Sequence, residues 1–334
     1  MNKEEITELT SGEISSLWMT YQSETLQKCG IRFFLQHVDD KQIQEILEEM
    51  LRLTIKRIDR VKDIFMKEDY PVPEGFTDDD VNLKAPRLFS DILYLEYCLE
   101  KLKMELTHFS YPMLDAVKVD VQEFYFEVMQ DIQKLEMRAK ELAKAKGIYN
   151  RAPKIPTPKQ VEYVTKESFL AGWLGGKRPL LGIEISQLVF HSKRNALGQA
   201  VITAFSQVAK SKEVRRFFER GREISGKHLD IFSTILNDEY LPNSANVLTS
   251  EVTDSTEAPF SDKLMMTFIT NLIASSIGGY GVSMSISPRR DLGVHYTRLI
   301  AEIAQYSDDG AEILIKNGWM EQPPMAADRK ELAK

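Results

Sequence analysis

Apolar residues recur at three- and four-residue intervals through most of this chain. Ile43, Leu47, Met50, Thr54, Ile58, Val61 and Phe65 form one such series, and Val117, Val121, Phe124, Val128, Leu135 and Leu142 form another. Steps of three and four keep side chains on one face of a 3.6-residue turn, so each series predicts a helix with a single apolar stripe. Stretches near 12–38 and 86–110 predict two more, each helix running roughly 40 Å at about 1.5 Å per residue. Alone, such helices would leave their stripes in water, so the four must bundle.

The pattern then repeats at an offset of 171 residues. Glu13-Ile14-Ser15 recurs as Glu184-Ile185-Ser186, Leu17 as Leu188, Leu26 as Leu197, and Phe34 and Gln36 as Phe205 and Gln207. Lys41 pairs with Lys212, Asp59 with Asp230, Phe89-Ser90-Asp91 with Phe260-Ser261-Asp262, and Tyr125 with Tyr296. Gly147 and Pro153 pair with Gly318 and Pro324. Chance matches would not hold one register from end to end, so the chain reads as one unit duplicated. The predicted organisation is a four-helix bundle over 1–150, a docked linker over 151–181, and a second bundle over 182–334.

Helix ends carry the expected chemistry. Asp39 and Asp40, and in the second copy Ser211, offer side-chain oxygens to unpaired backbone amides at the start of the second helices. Gly147 and Gly318 close the fourth helices, where a left-handed residue suits glycine. Between the second and third helices lie longer connections, Asp69 to Lys84 and Glu239 to Glu257, broken by Pro71, Pro73, Gly75 and Pro242. At roughly 3.3 Å per residue such a stretch can travel the length of a bundle. One long crossover there is the ferritin-like topology, and a plain up-down bundle with a loose loop is the alternative. In the linker, Pro153, Pro156, Pro158 and Pro179 favour extended chain, while Tyr163, Phe169 and Trp173 suggest a short docked helix from about Pro158 to Ala171.

Composition narrows the classes of function. The net charge of -7 divides into -9 for residues 1–150, with 20 basic and 29 acidic side chains, and +2 for the rest. A nucleic-acid partner calls for a concentrated basic face, which this balance does not supply. The first residues are polar and acidic rather than basic then apolar, so no export signal is expected. With Cys29 and Cys98 as the whole cysteine complement, neither a disulfide framework nor a cysteine zinc site can be built, which fits a reducing cytoplasm.

Candidate chemistry is sparse. Ferritin-like oxidases hold two metals with a Glu from each of two helices and a Glu-x-x-His pair from each of the others. Only Glu105 and His108 have that spacing here, and their equivalents are Ser276 and Gly279. The second copy offers a weaker set, since His191, His228 and His295 fall at similar depths on three helices and could converge on zinc or iron; the bland reading is edge histidines. Leu264 to Ser287 runs 24 positions without a charge. It is too polar for a membrane span and predicts a buried helix. Its small residues Ala274, Gly278, Gly279 and Gly281 allow close packing against another backbone, or leave room for an apolar ligand. Gly175-Gly176-Lys177-Arg178 lacks the earlier glycine and the hydroxyl of a phosphate loop. Gly281-Val282-Ser283-Met284-Ser285 lacks the second glycine of a nucleophile elbow. Asp78-Asp79-Asp80 has no calcium-loop spacing.

Several longer segments carry a family likeness. Ser261-Asp262-Lys263-Leu264-Met265-Met266, Gly278-Gly279-Tyr280-Gly281, Arg289-Arg290-Asp291-Leu292 and Gly318-Trp319-Met320-Glu321-Gln322-Pro323-Pro324, with Ala85-Pro86-Arg87-Leu88-Phe89-Ser90-Asp91 and Ile155-Pro156-Thr157-Pro158-Lys159, resemble the tandem family of bacilli known as domain of unknown function 3231. The likeness covers nearly the whole chain in both copies. It implies a pair of ferritin-like bundles in a spore-forming bacterium, and brings no activity, cofactor or catalytic residue with it. The expected function is a non-enzymatic scaffold or interaction protein, cytoplasmic or spore-associated, tied to sporulation or stress and able to self-associate or bind a protein partner. A metal-binding redox or storage protein, and a carrier of a small apolar ligand in the second bundle, are the alternatives.

Overall fold

The computed structural model describes residues 8–172, 177–242 and 248–334. Eight α-helices account for most of them: α1 (Ser11–His37), α2 (Lys41–Lys67), α3 (Asp91–Asp115), α4 (Val119–Ala145), α5 (Gly182–Val208), α6 (Lys212–Asp238), α7 (Asp262–Ser285) and α8 (Arg290–Lys316). Each helix of the second set begins 171 residues after its counterpart in the first. The duplication is therefore structural as well as textual. Among the described residues there is no strand, and one isolated antiparallel bridge joins Phe89 to Val252.

Local chemistry sets the helix ends. Asp40 accepts from the amides of Gln42 and Ile43 at 2.9 and 3.2 Å, and the Thr10 hydroxyl with the Glu13 carboxylate forms a reciprocal cap on α1. Gly147 and Gly318 take φ of +72° and +66° just past α4 and α8, as expected. The third helix begins at Asp91 rather than near 86. Pro86 and its neighbours are drawn into extended chain instead: the Ser90 amide donates to the Glu251 carbonyl at 2.9 Å, and the Thr253 amide to the Leu88 carbonyl at 3.0 Å.

The chain divides into two compact units. The first comprises Met1–Lys84, Tyr94–Ala145 and Gly318–Lys334; the second comprises Ala85–Leu93 and Lys146–Asn317. Each copy thus contributes a short segment to the other unit, which the repeat boundaries do not foreshadow. In the first unit Leu17, Ile31, Phe33, Leu47, Val61, Phe65 and Tyr125 are fully buried. Leu188, Val214, Phe218, Phe232, Leu236, Met265, Leu292 and Leu299 play that part in the second.

One buried glutamate per unit fixes the direction of its helices. Glu13, at the start of α1, accepts from the amides of Val117 and Lys118 in the α3–α4 turn at 2.9 and 2.7 Å. Its counterpart Glu184 accepts from the amide of Arg289 at 3.1 Å and from Leu181 at 2.8 Å. The start of the first helix therefore meets the end of the third and the start of the fourth. With the first two helices antiparallel, the order is up, down, down, up, and the connection between the second and third must run the length of the bundle. Helix neighbours agree, since α5 packs on α6 and α7, while α6 and α7 each pack on α8.

Two linker expectations change. No α-helix forms between Pro158 and Ala171; a single 3-10 turn, Glu167–Leu170, stands there. Residues 157–168 are exposed, Tyr163 at 86%. Pro158 and the charged residues Lys159, Glu162, Lys166 and Glu167 leave this stretch no apolar stripe with which to dock. Trp173, Gly175 and Gly176 lie outside the described residues. Helix α7 is not buried all round either, and no helix among the described residues is long and apolar enough to cross a membrane.

Candidate functional site

The polar residues that the two copies keep in their cores occupy the same level, with different chemistry. In the first unit Arg57 (α2) is 3% exposed and donates through Nη1 to Glu24 Oε1 (α1) at 3.1 Å and Glu105 Oε2 (α3) at 3.2 Å. Lys101 Nζ adds a 3.4 Å ion pair to Glu105. Burial pushes the Glu24 carboxyl up against the pull of Arg57. Two carboxylates and two cations make the cluster close to neutral, which is what allows it to remain inside.

The counterparts of Glu24, Arg57 and Glu105 are Asn195, His228 and Ser276. No charged cluster replaces the ions; a hydrogen-bond chain does. Glu302 Oε2 on α8 lies 3.2 Å from His228 Nε2, and His228 Nδ1 lies 3.1 Å from the Tyr280 hydroxyl on α7. Asn195 Nδ2 on α5 donates to that hydroxyl at 2.9 Å. Lys227 binds Glu302 on the solvent side at 2.7 Å. A carboxylate only accepts, so His228 carries its proton on Nε2 and accepts a hydrogen bond from the Tyr280 O–H at Nδ1. Burial lowers the His228 pKa, and Glu302 works against that shift.

Around this chain lies a cavity of ≈ 60 Å³. Arg194, Asn195, Ser225, Ser276, His228 and Tyr280 supply its polar wall, and Gly198 and Gly221 leave room for it. A Cβ on Gly221 would stand 2.1 Å from the Tyr306 hydroxyl, so close approach of α6 and α8 requires glycine there. A cavity of about 150 Å³ takes benzene, and about 300 Å³ is the lower bound for drug-sized ligands. This one suits a molecule of about three heavy atoms.

His191 occupies a neighbouring niche. It is 1% exposed, with Ser283 Oγ at 2.7 Å from Nε2 and Ser283 in turn 2.7 Å from Gln187 Oε1. Its ring meets Tyr280 edge-on at 4.7 Å and Phe232 at 5.6 Å. Burial, with help from Arg194, drops its pKa to about 3. It is a neutral core histidine.

The three histidines do not form a metal centre. His191 and His228 share Tyr280 as a neighbour, while His295 is half-buried on α8. Among the described residues no three His, Cys, Asp or Glu side chains converge to hold an ion. The di-metal set of ferritin-like oxidases does not fit either: in the first unit a guanidinium sits between Glu24 and Glu105, and His108 is exposed. In the second unit Asn195 and Ser276 stand where those carboxylates would be.

The small-residue positions also separate. Ala274 and Gly278 face solvent, and open space surrounds the Cβ directions of Gly278 and Gly281. Of the three glycines, Gly279 alone is closed in: a Cβ there would stand 3.2 Å from His191 Cε1 and 3.4 Å from Arg194 Nη1. The room in the second bundle lies on another side, against Gly198 and Gly221. The buried ion cluster was missed because charged residues read as surface. A signal was present: Arg57 falls seven residues after Met50 and four before Val61, inside the apolar stripe, and Glu24 falls seven after Leu17.

Fold and site together define a tandem four-helix-bundle protein whose two copies carry unlike polar cores at one level. A family model described as protein of unknown function (DUF3231) matches residues 2–161 and again 168–332, and the chain belongs to that family. A search among curated proteins finds no match. Among solved structures, one provisionally described as a spore coat protein of Bacillus halodurans is 18% identical, covering 48% of this chain and 100% of its own, with a TM-score of 0.39.

Proposed function

We propose that the chain is a non-enzymatic ferritin-like tandem bundle, its first bundle a closed structural module and its second a binding module for a small hydrogen-bonding molecule. The observation that carries this is the contrast at equivalent positions: Glu24, Arg57 and Glu105, with Lys101, form a near-neutral ion cluster in one core, whereas Asn195, His228 and Ser276 border a cavity of ≈ 60 Å³ in the other. The up-down-down-up order supports assignment to the ferritin-like class. A polar wall and this volume favour a small polar guest over the apolar ligand that the glycines of α7 suggest. Cys29 and Cys98 are buried free thiols, raised by burial to about 11 and about 12. Cysteines left unpaired suit a reducing, cytoplasmic setting.

The test is thermal denaturation of the full chain with solutes of about three heavy atoms, beside a Gly198→Leu variant. The nearest atom to a Cβ at Gly198 is Ser225 Oγ at 3.8 Å, so the new side chain grows into the cavity. Solute-dependent stabilisation of the wild type that is lost in the variant supports the reading. Equal responses sink it. A scaffold role is favoured by one further feature, the exposed apolar side chains Tyr111, Leu114, Val117 and Val119 at the α3–α4 corner, 51–79% exposed. If that corner mediates self-association, light scattering will show an oligomer that Leu114→Glu dissociates.

A further inference from the structure

We infer that the second bundle's cavity is a site for a small oxyanion of about three heavy atoms, and that Glu302, His228 and Tyr280 deliver one proton to the protein as the anion enters. This deepens the binding-module reading and rests on it. The class of ligand follows from the wall: Arg194 is the charged member of the lining, with Ser225, Asn195 and Ser276 as neutral polar partners and no carboxylate among the lining residues. Size follows from the volume of ≈ 60 Å³, set against about 150 Å³ for benzene.

The proton step follows from the hydrogen-bond chain. At rest the Tyr280 O–H points to His228 Nδ1, since Nε2–H is committed to Glu302. In that state the hydroxyl has no proton left for a guest. Taking one proton from solvent at Nδ1 turns His228 into a double donor. Its Nδ1–H then donates to the tyrosine oxygen, which also accepts from Asn195, and the tyrosine O–H is released toward the anion. One N–H bond forms at Nδ1; its proton is given up by the buffer acid, whose conjugate base stays in solvent, and it remains on the imidazole. Glu302, 28% exposed at its side chain, holds the Nε2 proton and faces the imidazolium with a negative charge.

Charges from every neighbouring helix bear on this titration. Lys227 on α6 and Arg298 on α8 oppose protonation of His228, Glu302 on α8 favours it, Tyr280 stands on α7, and Arg194 on α5 lines the cavity. An anion entering the cavity that His228 lines adds a negative charge beside the ring and so tips the balance toward the charged imidazole.

The experiment is calorimetric titration of the full chain with sodium formate and, as its neutral counterpart, formamide, at pH 7 and 8 in two buffers of different ionisation enthalpy. Formate stays ionised throughout, so any proton taken up goes to the protein. A three-atom ligand binds in about the millimolar range at best. The expected result is formate binding that weakens about tenfold per pH unit with about one proton taken up, and His228→Gln binding formate with no proton and no pH dependence. Should that variant fail to fold, Glu302→Gln, nearer the surface, should move the pH dependence to lower pH. Formamide binding as well as formate, or formate binding without proton uptake, overturns the inference and leaves the binding module standing. Neither solute binding at 100-fold above about 1 mM overturns both.

Discussion

Acidification should destabilise the second bundle through His191, and the size of the effect can be worked from its surroundings. The ring is 1% exposed, and burial with Arg194 nearby lowers its pKa from 6.5 to about 3. A lowered histidine pKa means that the unfolded chain binds the proton first. Stability is therefore intact above pH 6.5 and falls as the pH drops toward 3. Each unit of difference is about 1.4 kcal/mol, so the ceiling is about 5 kcal/mol, of which about 2 kcal/mol is lost by pH 5. For a domain of this size that corresponds to a fall in Tm of about 4–8 °C. His228 and His295, both lowered by burial, push the same way. The carboxylates titrate mostly at lower pH. Differential scanning calorimetry of wild type and His191→Gln between pH 7.5 and 5 measures the contribution, because glutamine can still bond Ser283 but cannot titrate. The variant should start less stable at pH 7.5 and lose less on acidification. If both proteins lose the same amount, His191 is not the neutral, solvent-excluded group described above.

Other expectations follow from particular contacts. Arg57→Met strands Glu24 and Glu105 without their guanidinium and should cost about 3–5 kcal/mol by urea denaturation, most of it recovered when both glutamates are also made glutamine. Glu184 is pushed up by burial, but Arg178 and the amides of Leu181 and Arg289 outweigh that and hold its carboxyl below the usual range. Its contribution is thus present above about pH 4.5 and lost as pH falls further, and Glu184→Gln should flatten that acid limb of the unfolding curve. Gly221→Ala places a Cβ 2.1 Å from the Tyr306 hydroxyl and should cost about 1–3 kcal/mol by thermal unfolding, although alanine favours helix. Tyr280→Phe removes the partner of both His228 Nδ1 and Asn195 Nδ2 and should cost about 1–3 kcal/mol in the same measurement.

Much of the architecture was legible along the chain because helices are local objects. Spacing of Ile43, Leu47, Met50 and their successors needs only neighbouring residues to declare a stripe, and a second copy at a constant offset repeats the declaration. The caps at Asp40 and Ser211 and the left-handed glycines at 147 and 318 are equally local. The crossover was legible as a length, and Glu13 and Glu184 reveal its direction only through bonds across more than 100 residues.

What lies inside each bundle was a different matter. His191, His228 and His295 sit at similar depths along their helices, yet depth says nothing of rotation about the axis, and rotation sends His191 to Ser283 and His228 to Glu302. Ala274 and Gly278 advertise an intimate helix face, but α7 turns that face to solvent. Arg57 and Glu24 carry charge, which alone argues for the surface, and only the meeting of three helices makes them mutual partners in the core. Periodicity along one chain specified the helices, their order and their doubling. Which polar side chains meet, and where a space is left between them, is settled by how helices rotate and close on one another, because burial cost and hydrogen bonding are properties of the assembled neighbourhood rather than of any residue within it.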